Sequence, residues 1–224
     1  MLTAMAAGRV AVYLEVGARR VFACALDWPG WCRSGRDEER ALAALAAAAP
    51  RYAVAAREAG VRFPARAGDA FDVAERIPGT ASTDFGVPGE AAAADAEPLT
   101  RPQARRQAAL VAASWTILDR VATGAPAELR KGPRGGGRDR DAIVEHVAAA
   151  EFAYARKLGI RHRQPGPGDV AGETLSALRA ALLETLGQAS AGEAPVPKGW
   201  RPRYAARRIA WHALDHAWEI EDRS

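Results

Sequence analysis

The sequence predicts an α+β chain in which a small N-terminal αβ module, antiparallel strands plus a helix, precedes a C-terminal four-helix bundle. Apolar residues alternate at a period of two near the N-terminus, whereas beyond Arg101 they recur every three or four residues. A Pro- and Gly-rich stretch separates the two patterns. We therefore expect the αβ module and its linker over residues 1–95 and the bundle over residues 96–224.

The first two strands are expected to form a hairpin. Apolar side chains fall on alternate positions within Arg9–Val16, and Val21–Leu26 is a second apolar run rich in strand-forming residues. The short turn Gly17–Arg20 between them predicts antiparallel pairing. Ala70–Ile77 is a further strand candidate.

An alanine- and leucine-rich stretch over Asp37–Ala59 predicts a helix. Acidic residues at its start suit the positive end of the helix dipole, and Gly60 is a natural stop. Pro50 lies inside the stretch, which predicts a kink or a break into two helices. Over Pro78–Pro102 no period is sustained, so we predict a linker with at most one short element and a domain boundary near residues 90–100.

Four amphipathic helices are expected in the C-terminal half. Helices that each carry one apolar face and are joined by short or medium loops favour a bundle. The predicted helices are Gln103–Thr123, a second that begins at Asp139 or Asp141 and ends at Leu158, then Thr174–Ala189 and Tyr204–Asp222.

Composition limits the classes of function and of partner. The 224 residues carry 31 Lys+Arg against 27 Asp+Glu, a net charge of +4, and nearly all cations are arginines in an Ala-rich chain, so nucleic acid binding is not favoured. No apolar run approaches the roughly 20 residues that cross a bilayer, and no secretory signal is recognisable. The cysteines, Cys24 and Cys32, form no disulfide framework, so we expect a reducing cytoplasm.

Three of the four histidines fall where helices can bring them together. His212 and His216 are four residues apart on the last helix, so their imidazoles project from the same side, toward the bundle interior. His146 lies about 60° from the centre of the apolar stripe of the second helix. Three imidazoles at one point would hold a divalent cation such as Zn²⁺ or Ni²⁺ and leave a fourth position open. The alternative is three ordinary buried side chains, and His162, in a basic loop, is expected to face solvent or an anion.

The segment Arg208–His216 (RIAWHALDH), with Val144–His146 (VEH) opening an earlier helix, resembles the DinB superfamily of metal-binding four-helix bundles over about residues 101–224. That family places one ligand histidine on its second helix and an H-x-x-x-H pair on a later helix. The resemblance therefore implies a metal site made of His146, His212 and His216. It also implies, as one option, the transfer of low-molecular-weight thiols that some family members catalyse.

The N-terminal residues 8–60 are similar to a HicB-like fold, because two strands, Trp28–Trp31 (WPGW), Gly35 and a helix follow in that order. Pro50, inside the helix, departs from the family pattern. HicB-like modules accompany antitoxins whose DNA contacts come from a separate domain, and we find no such domain here. We therefore expect the module to pack against the bundle or to form a homodimer.

Glu151 and Glu219 are the candidate catalytic acids or bases. Glu219 follows His216 by three residues, which places it about 60° from its histidine, and Glu151 follows His146 by five; we expect both to face the histidines. Either could accept the second N–H of an imidazole or act as a general base. The H-E-x-x-H order of zinc peptidases is absent, since Ala213 occupies the glutamate position.

The loop Arg130–Arg138 carries four cations among glycines next to the helix of His146. A Gly-rich loop that leads into a helix offers free N–H groups to an anion. We expect Arg134 and Arg138 to bind a carboxylate or phosphate of a small-molecule substrate, the alternative being a solvated loop.

Two functions are compatible with these patterns. A bound divalent cation lowers the pKa of water to about 7 or converts a thiol to a thiolate, which predicts a metal-dependent thiol transferase or hydrolase. The alternative is a non-enzymatic binding or regulatory module whose metal is structural or absent.

Overall fold

The computed structural model describes residues 9–132, 136–163 and 172–224. These residues form a four-stranded sheet in the N-terminal half and seven α-helices, mostly C-terminal, which confirms the predicted α+β class. In chain order the elements are β1 Val10–Val16, β2 Val21–Ala25, β3 Cys32–Gly35, α1 Glu38–Ala47, α2 Ala49–Glu58, β4 Phe71–Pro78, α3 Ala81–Phe85, a 3₁₀ turn Ala93–Ala96, α4 Arg101–Gly124, α5 Arg140–Lys157, α6 Glu173–Leu186 and α7 Pro202–Arg223.

The sheet has the strand order β3-β2-β1-β4. β1 and β2 form the predicted antiparallel hairpin, and β4 pairs in parallel with β1. β3 was not predicted, because its four residues (CRSG) lack an alternating pattern. In the β2–β3 register Cys24 lies opposite Cys32, and the two form a disulfide. A single pair is not a disulfide framework, and the reducing compartment stays a prediction.

The first helical stretch breaks into α1 and α2, as Pro50 predicted. Asp37 caps α1, since its side chain accepts a hydrogen bond from the Arg40 backbone N–H at 2.8 Å. Pro50 sits in the first turn of α2, where no backbone N–H is required. Trp31 anchors both helices to the sheet: its Nε1 donates to the Leu45 carbonyl at 2.9 Å, and its ring stacks on Tyr52.

The segment predicted as a linker is packed and contains two short elements, which corrects the expectation of at most one. Asp95, in the 3₁₀ turn, is fully buried and accepts hydrogen bonds from both terminal nitrogens of Arg207 on α7, at 2.5 and 2.6 Å. Glu15 of β1 is also buried, and it accepts hydrogen bonds from the Thr83 hydroxyl and from backbone N–H groups of residues 89 and 90. The hydrogen bonds that Asp95 and Glu15 accept thus hold this segment against α7 and against the sheet.

The four long helices α4 to α7 form the helical bundle, and α7 also contacts the sheet half. Gly30 adopts a φ of +93°, and a Cβ built there would lie 2.7 Å from Leu214 Cδ1. Arg33 of β3 donates to Asp215 of α7 at 2.9 Å. A hydrophobic core cluster includes residues from both halves of the described chain, for example Leu14 of β1 and Ile209 of α7. None of the described helices combines the length and apolar character that crossing a membrane requires.

Substitution of Gly30 by Ala is expected to destabilise the fold more than the same change at Gly60. Both glycines have positive φ, which costs an L-residue about 1–2 kcal/mol. Only Gly30 lies against α7, and nothing lies within 4 Å of a Cβ built on Gly60. We expect the free energy of unfolding, measured by urea titration, to fall by about 1–3 kcal/mol more in Gly30→Ala because of overpacking. Equal losses would contradict close contact between Gly30 and α7.

Candidate metal centre

The three predicted ligand histidines come together between α5 and α7. Each of them offers one ligand nitrogen, and these nitrogens all lie within 4.8 Å of one another. The ring centroids are 5.0 Å apart for His146 and His212, 5.2 Å for His146 and His216, and 4.8 Å for His212 and His216. The convergence inferred from the i, i+4 spacing and from the apolar stripe of the earlier helix is therefore present in the fold.

The closest pair of nitrogens has a separation suited to a shared cation. His212 Nε2 and His146 Nε2 are 3.2 Å apart. Two imidazole nitrogens bound to one tetrahedral zinc ion, at bond lengths near 2.05 Å, are separated by about 3.3 Å. His212 Nδ1 is buried and has no hydrogen-bond partner among the described residues. The donor set therefore fits a divalent cation of the kind that imidazole binds.

Burial keeps two of these imidazoles neutral. Desolvation, and secondly the nearby His216, lower the pKa of His212 to about 2. The same two causes lower the pKa of His146 below its ordinary value. A neutral imidazole has a free lone pair, so no proton needs to be removed before either residue can bind a metal ion.

Glu219 orients the third histidine. Its Oε2 lies 2.8 Å from His216 Nδ1, and its Oε1 accepts a hydrogen bond from Arg223 Nη1 at 2.6 Å. The hydrogen bond from His216 is the largest cause that lowers the pKa of Glu219, so the group is a carboxylate. A carboxylate at Nδ1 favours the tautomer that carries its proton there and leaves the Nε2 lone pair free. Sequence spacing predicted this contact.

Glu151 is held away from the histidines. Its side chain is 1% exposed, and both carboxylate oxygens accept hydrogen bonds from Arg179 of α6, at 2.9 and 3.1 Å. Five helical residues rotate a side chain by about 140°, which turns Glu151 away from the direction of His146. Arg179 also donates to Asp119 of α4 at 2.9 Å. The ion pair of Glu151 with Arg179 thus joins α5 to α6. A catalytic role for Glu151 stays a prediction.

Arg138 lies near the centre, whereas Arg134 falls outside the described residues. Arg138 is exposed, and its positive charge contributes to the lowered pKa values of His146 and His212. The start of the same loop is attached to the end of α7: Arg130 N donates to the carbonyl of Arg223 at 2.9 Å, and Arg223 Nε donates back to the carbonyl of Arg130 at 2.8 Å. The loop and α7 therefore meet beside Glu219.

Aromatic rings and one further arginine lie beside His212, and sequence reasoning did not single them out. The ring of Tyr154 is 5.8 Å and that of Trp211 6.0 Å from the ring of His212, between centroids. The Arg208 guanidinium lies 5.5 Å from the Tyr154 ring and 4.7 Å from the Trp211 ring. The signal was present in the sequence, because Arg208 precedes His212 by one helical turn and shares its face.

A narrow cleft of about 20 Å³, roughly the space of one water molecule, lies between the sheet and α7 beside Arg208. His146, His212 and His216, which together we call the histidine centre, do not line this cleft. Their neighbours Arg208 and Trp211 do. Its lining includes Tyr13, Cys24, Cys32, Tyr204, Arg208 and Trp211.

Comparison of the chain with protein-family models, curated proteins and solved structures finds no match.

The protein is expected to bind one divalent cation per chain. Loss of the hydrogen-bonding partner of a metal ligand lowers metal affinity by roughly 10–100-fold. His212→Ala removes a direct ligand, so it should lower the affinity for Zn²⁺ by more than that. Elemental analysis after equilibration with Zn²⁺, together with calorimetric titration, measures both quantities. The control is His162→Ala, since His162 lies outside the histidine cluster. Equal zinc content in the two variants would argue against this centre.

Glu219→Gln is expected to weaken Zn²⁺ binding by about 10–100-fold, because His216 loses the carboxylate that sets its tautomer. Competition with a chromophoric chelator gives the two dissociation constants. The matched control is Glu221→Gln on the same helix, where the carboxylate pairs with Arg51 instead of a histidine. If both variants keep the parent affinity, Glu219 does not support a metal ligand.

Proposed function

We propose that the protein is a metal-dependent enzyme for small molecules, in which His146, His212 and His216 hold a divalent cation, Zn²⁺ or Ni²⁺. The observation that carries the proposal is the 3.2 Å separation of two Nε2 atoms, both on imidazoles that burial keeps neutral. Such a cation, when bound, makes a coordinated thiol or water molecule nucleophilic near neutral pH. Three protein ligands leave one coordination position for that molecule.

The surrounding residues support this chemistry in different ways. Glu219 accepts a hydrogen bond from Arg223 and favours the His216 tautomer that carries its proton on Nδ1. The negative charge of Glu219 lies next to His216, on the ring edge that does not bind the cation. Arg138 adds positive charge on the exposed side, where it would favour an anionic substrate. Arg134 belongs to the same loop and is proposed for the same role. Glu151 contributes by pairing with Arg179 rather than through the histidines.

The resemblance to the DinB superfamily favours a thiol over water as the activated group. Transfer of a thiol to an electrophile is therefore the first reaction to test, and hydrolysis of an ester or amide is the second. The HicB-like N-terminal module is proposed to act as a packing partner of the bundle, since Gly30, Arg33 and Trp31 belong to its contacts with α7 and with the shared core.

Loading experiments on the full chain test the proposal. The metal-free protein and its Zn²⁺ and Ni²⁺ forms are incubated with low-molecular-weight thiols and chlorodinitrobenzene, and release of the aryl thioether is followed by absorbance. We expect metal-dependent transfer that falls to the metal-free rate in His212→Ala. Hydrolysis of nitrophenyl acetate, measured in parallel, reports attack by water.

The His162→Ala variant serves as the active control in these assays. A protein that binds the cation tightly, unfolds at a higher temperature with it and shows neither reaction would instead have a structural metal. That result would favour the alternative, a non-enzymatic binding or regulatory module.

A further inference from the structure

Arg208 is a cation without an anionic partner beside the histidine centre. Two other arginines of α7 are paired, Arg207 with Asp95 and Arg223 with Glu219. Within the described residues, no carboxylate forms an ion pair with Arg208, and its Nη1 is buried without a hydrogen-bond partner. A buried charged donor without a partner costs free energy, which an acceptor supplied from outside the chain would offset.

The guanidinium is also positioned before any ligand arrives. It lies over the faces of two rings, Tyr154 and Trp211, at 5.5 and 4.7 Å from their centroids. Contacts with aromatic faces stabilise the cation without occupying its N–H donors in the plane of the group. Arg208 is half-buried and lines the narrow cleft between the sheet and α7, so part of the group remains exposed.

Arg208 is close to the place where the proposed reaction would occur. It precedes His212 by four residues on α7, so both side chains share one face of the helix. The Tyr154 ring lies near both groups, since its centroid is 5.5 Å from the Arg208 guanidinium and 5.8 Å from the centroid of the His212 ring.

We propose that Arg208 binds the carboxylate of the small-molecule substrate whose reacting atom sits at the histidine centre. A single planar guanidinium offers one positive charge and a fork of parallel N–H donors, which matches a monoanionic carboxylate. A phosphate dianion would call for more donors than this one residue provides. The inference rests on the proposed function for the location of the reacting atom, while the anion site itself requires only the residues around Arg208.

The first test compares two thiols that differ in a carboxylate. The full chain is loaded with Co²⁺, and the dissociation constants of mercaptopropionate and mercaptoethanol are measured from the absorption of the cobalt–thiolate bond. A charge-assisted hydrogen bond is worth about 1.5–3 kcal/mol, so mercaptopropionate should bind about 10–100-fold tighter. In Arg208→Gln this preference should disappear while the affinity for mercaptoethanol stays the same.

Two further variants separate a binding role from a structural role. Arg208→Lys keeps the charge and is expected to restore part of the preference, and Arg156→Gln removes an exposed arginine from α5 and should change neither constant. Cobalt content and thermal unfolding are measured for each variant. If mercaptopropionate and mercaptoethanol bind equally to the parent protein, or if the preference survives in Arg208→Gln, the proposal is wrong.

A second test does not require a metal ion, which distinguishes failure of this inference from failure of the proposed function. The metal-free protein is titrated with benzoate, benzamide and inorganic phosphate, and tryptophan fluorescence is followed because Trp211 adjoins Arg208. Benzoate binding that exceeds benzamide binding and is lost in Arg208→Gln supports the carboxylate site even if no metal binds. Tighter binding of phosphate than of benzoate, or no difference between benzoate and benzamide, overturns it.

Discussion

The close approach of α7 to both halves of the chain is the constraint on which the rest of the structure depends. The helix can be packed on most sides because small side chains occupy many of its positions: Ala205, Ala206, Ala210, Ala213 and Ala217 are all fully buried. Gly30 has no Cβ, and this allows the sheet half to approach α7 closely. The bidentate pair of Arg207 with Asp95 then fastens the helix to the segment that joins the two halves, at 2.5 and 2.6 Å. The histidine pair is carried by this helix, so its position relative to His146 is set by that packing.

Local periodicity was sufficient to predict much of this structure. The apolar repeat located the long helices, alternation located β1, and an apolar run located β2. The spacing of His212 and His216 with the placement of His146 predicted their convergence. These features depend on residues a few positions apart, whose relative directions follow from helix and strand geometry. The orientation of Glu219 toward His216 belongs to the same class, since the pair lies within one turn.

The features that escaped prediction depend on partners far away in the chain. Asp95 and Arg207 are 112 residues apart, and Glu15 and Thr83 are 68 residues apart, so nothing local marked the linker as a packed segment. Glu151 forms an ion pair with Arg179, which lies on another helix 28 residues later, although His146 is closer in sequence. β3 owes its conformation to pairing with β2 rather than to its own residues.

The charges around the histidine centre are unevenly matched. Arg223 compensates Glu219, and Arg33 compensates Asp215, so both carboxylates near the histidine pair are already engaged. Two positive groups, Arg208 and Arg138, are not matched by a described carboxylate, and the imidazoles of His146 and His212 are neutral. The anionic ligand that we propose would compensate these two positive charges.

Arg207 and Arg208 are adjacent in sequence but have opposite surroundings, since one step along a helix turns a side chain by about 100°. The first is enclosed with Asp95, and the second faces the aromatic rings next to His212. Insertion of a single residue into α7 before Arg207 would bring Arg207 to the direction now taken by Arg208 and would rotate the histidine pair by about 100°. Length variation among descendants of this chain should therefore accumulate in its loops, while α7 keeps its residue count even where its individual side chains change.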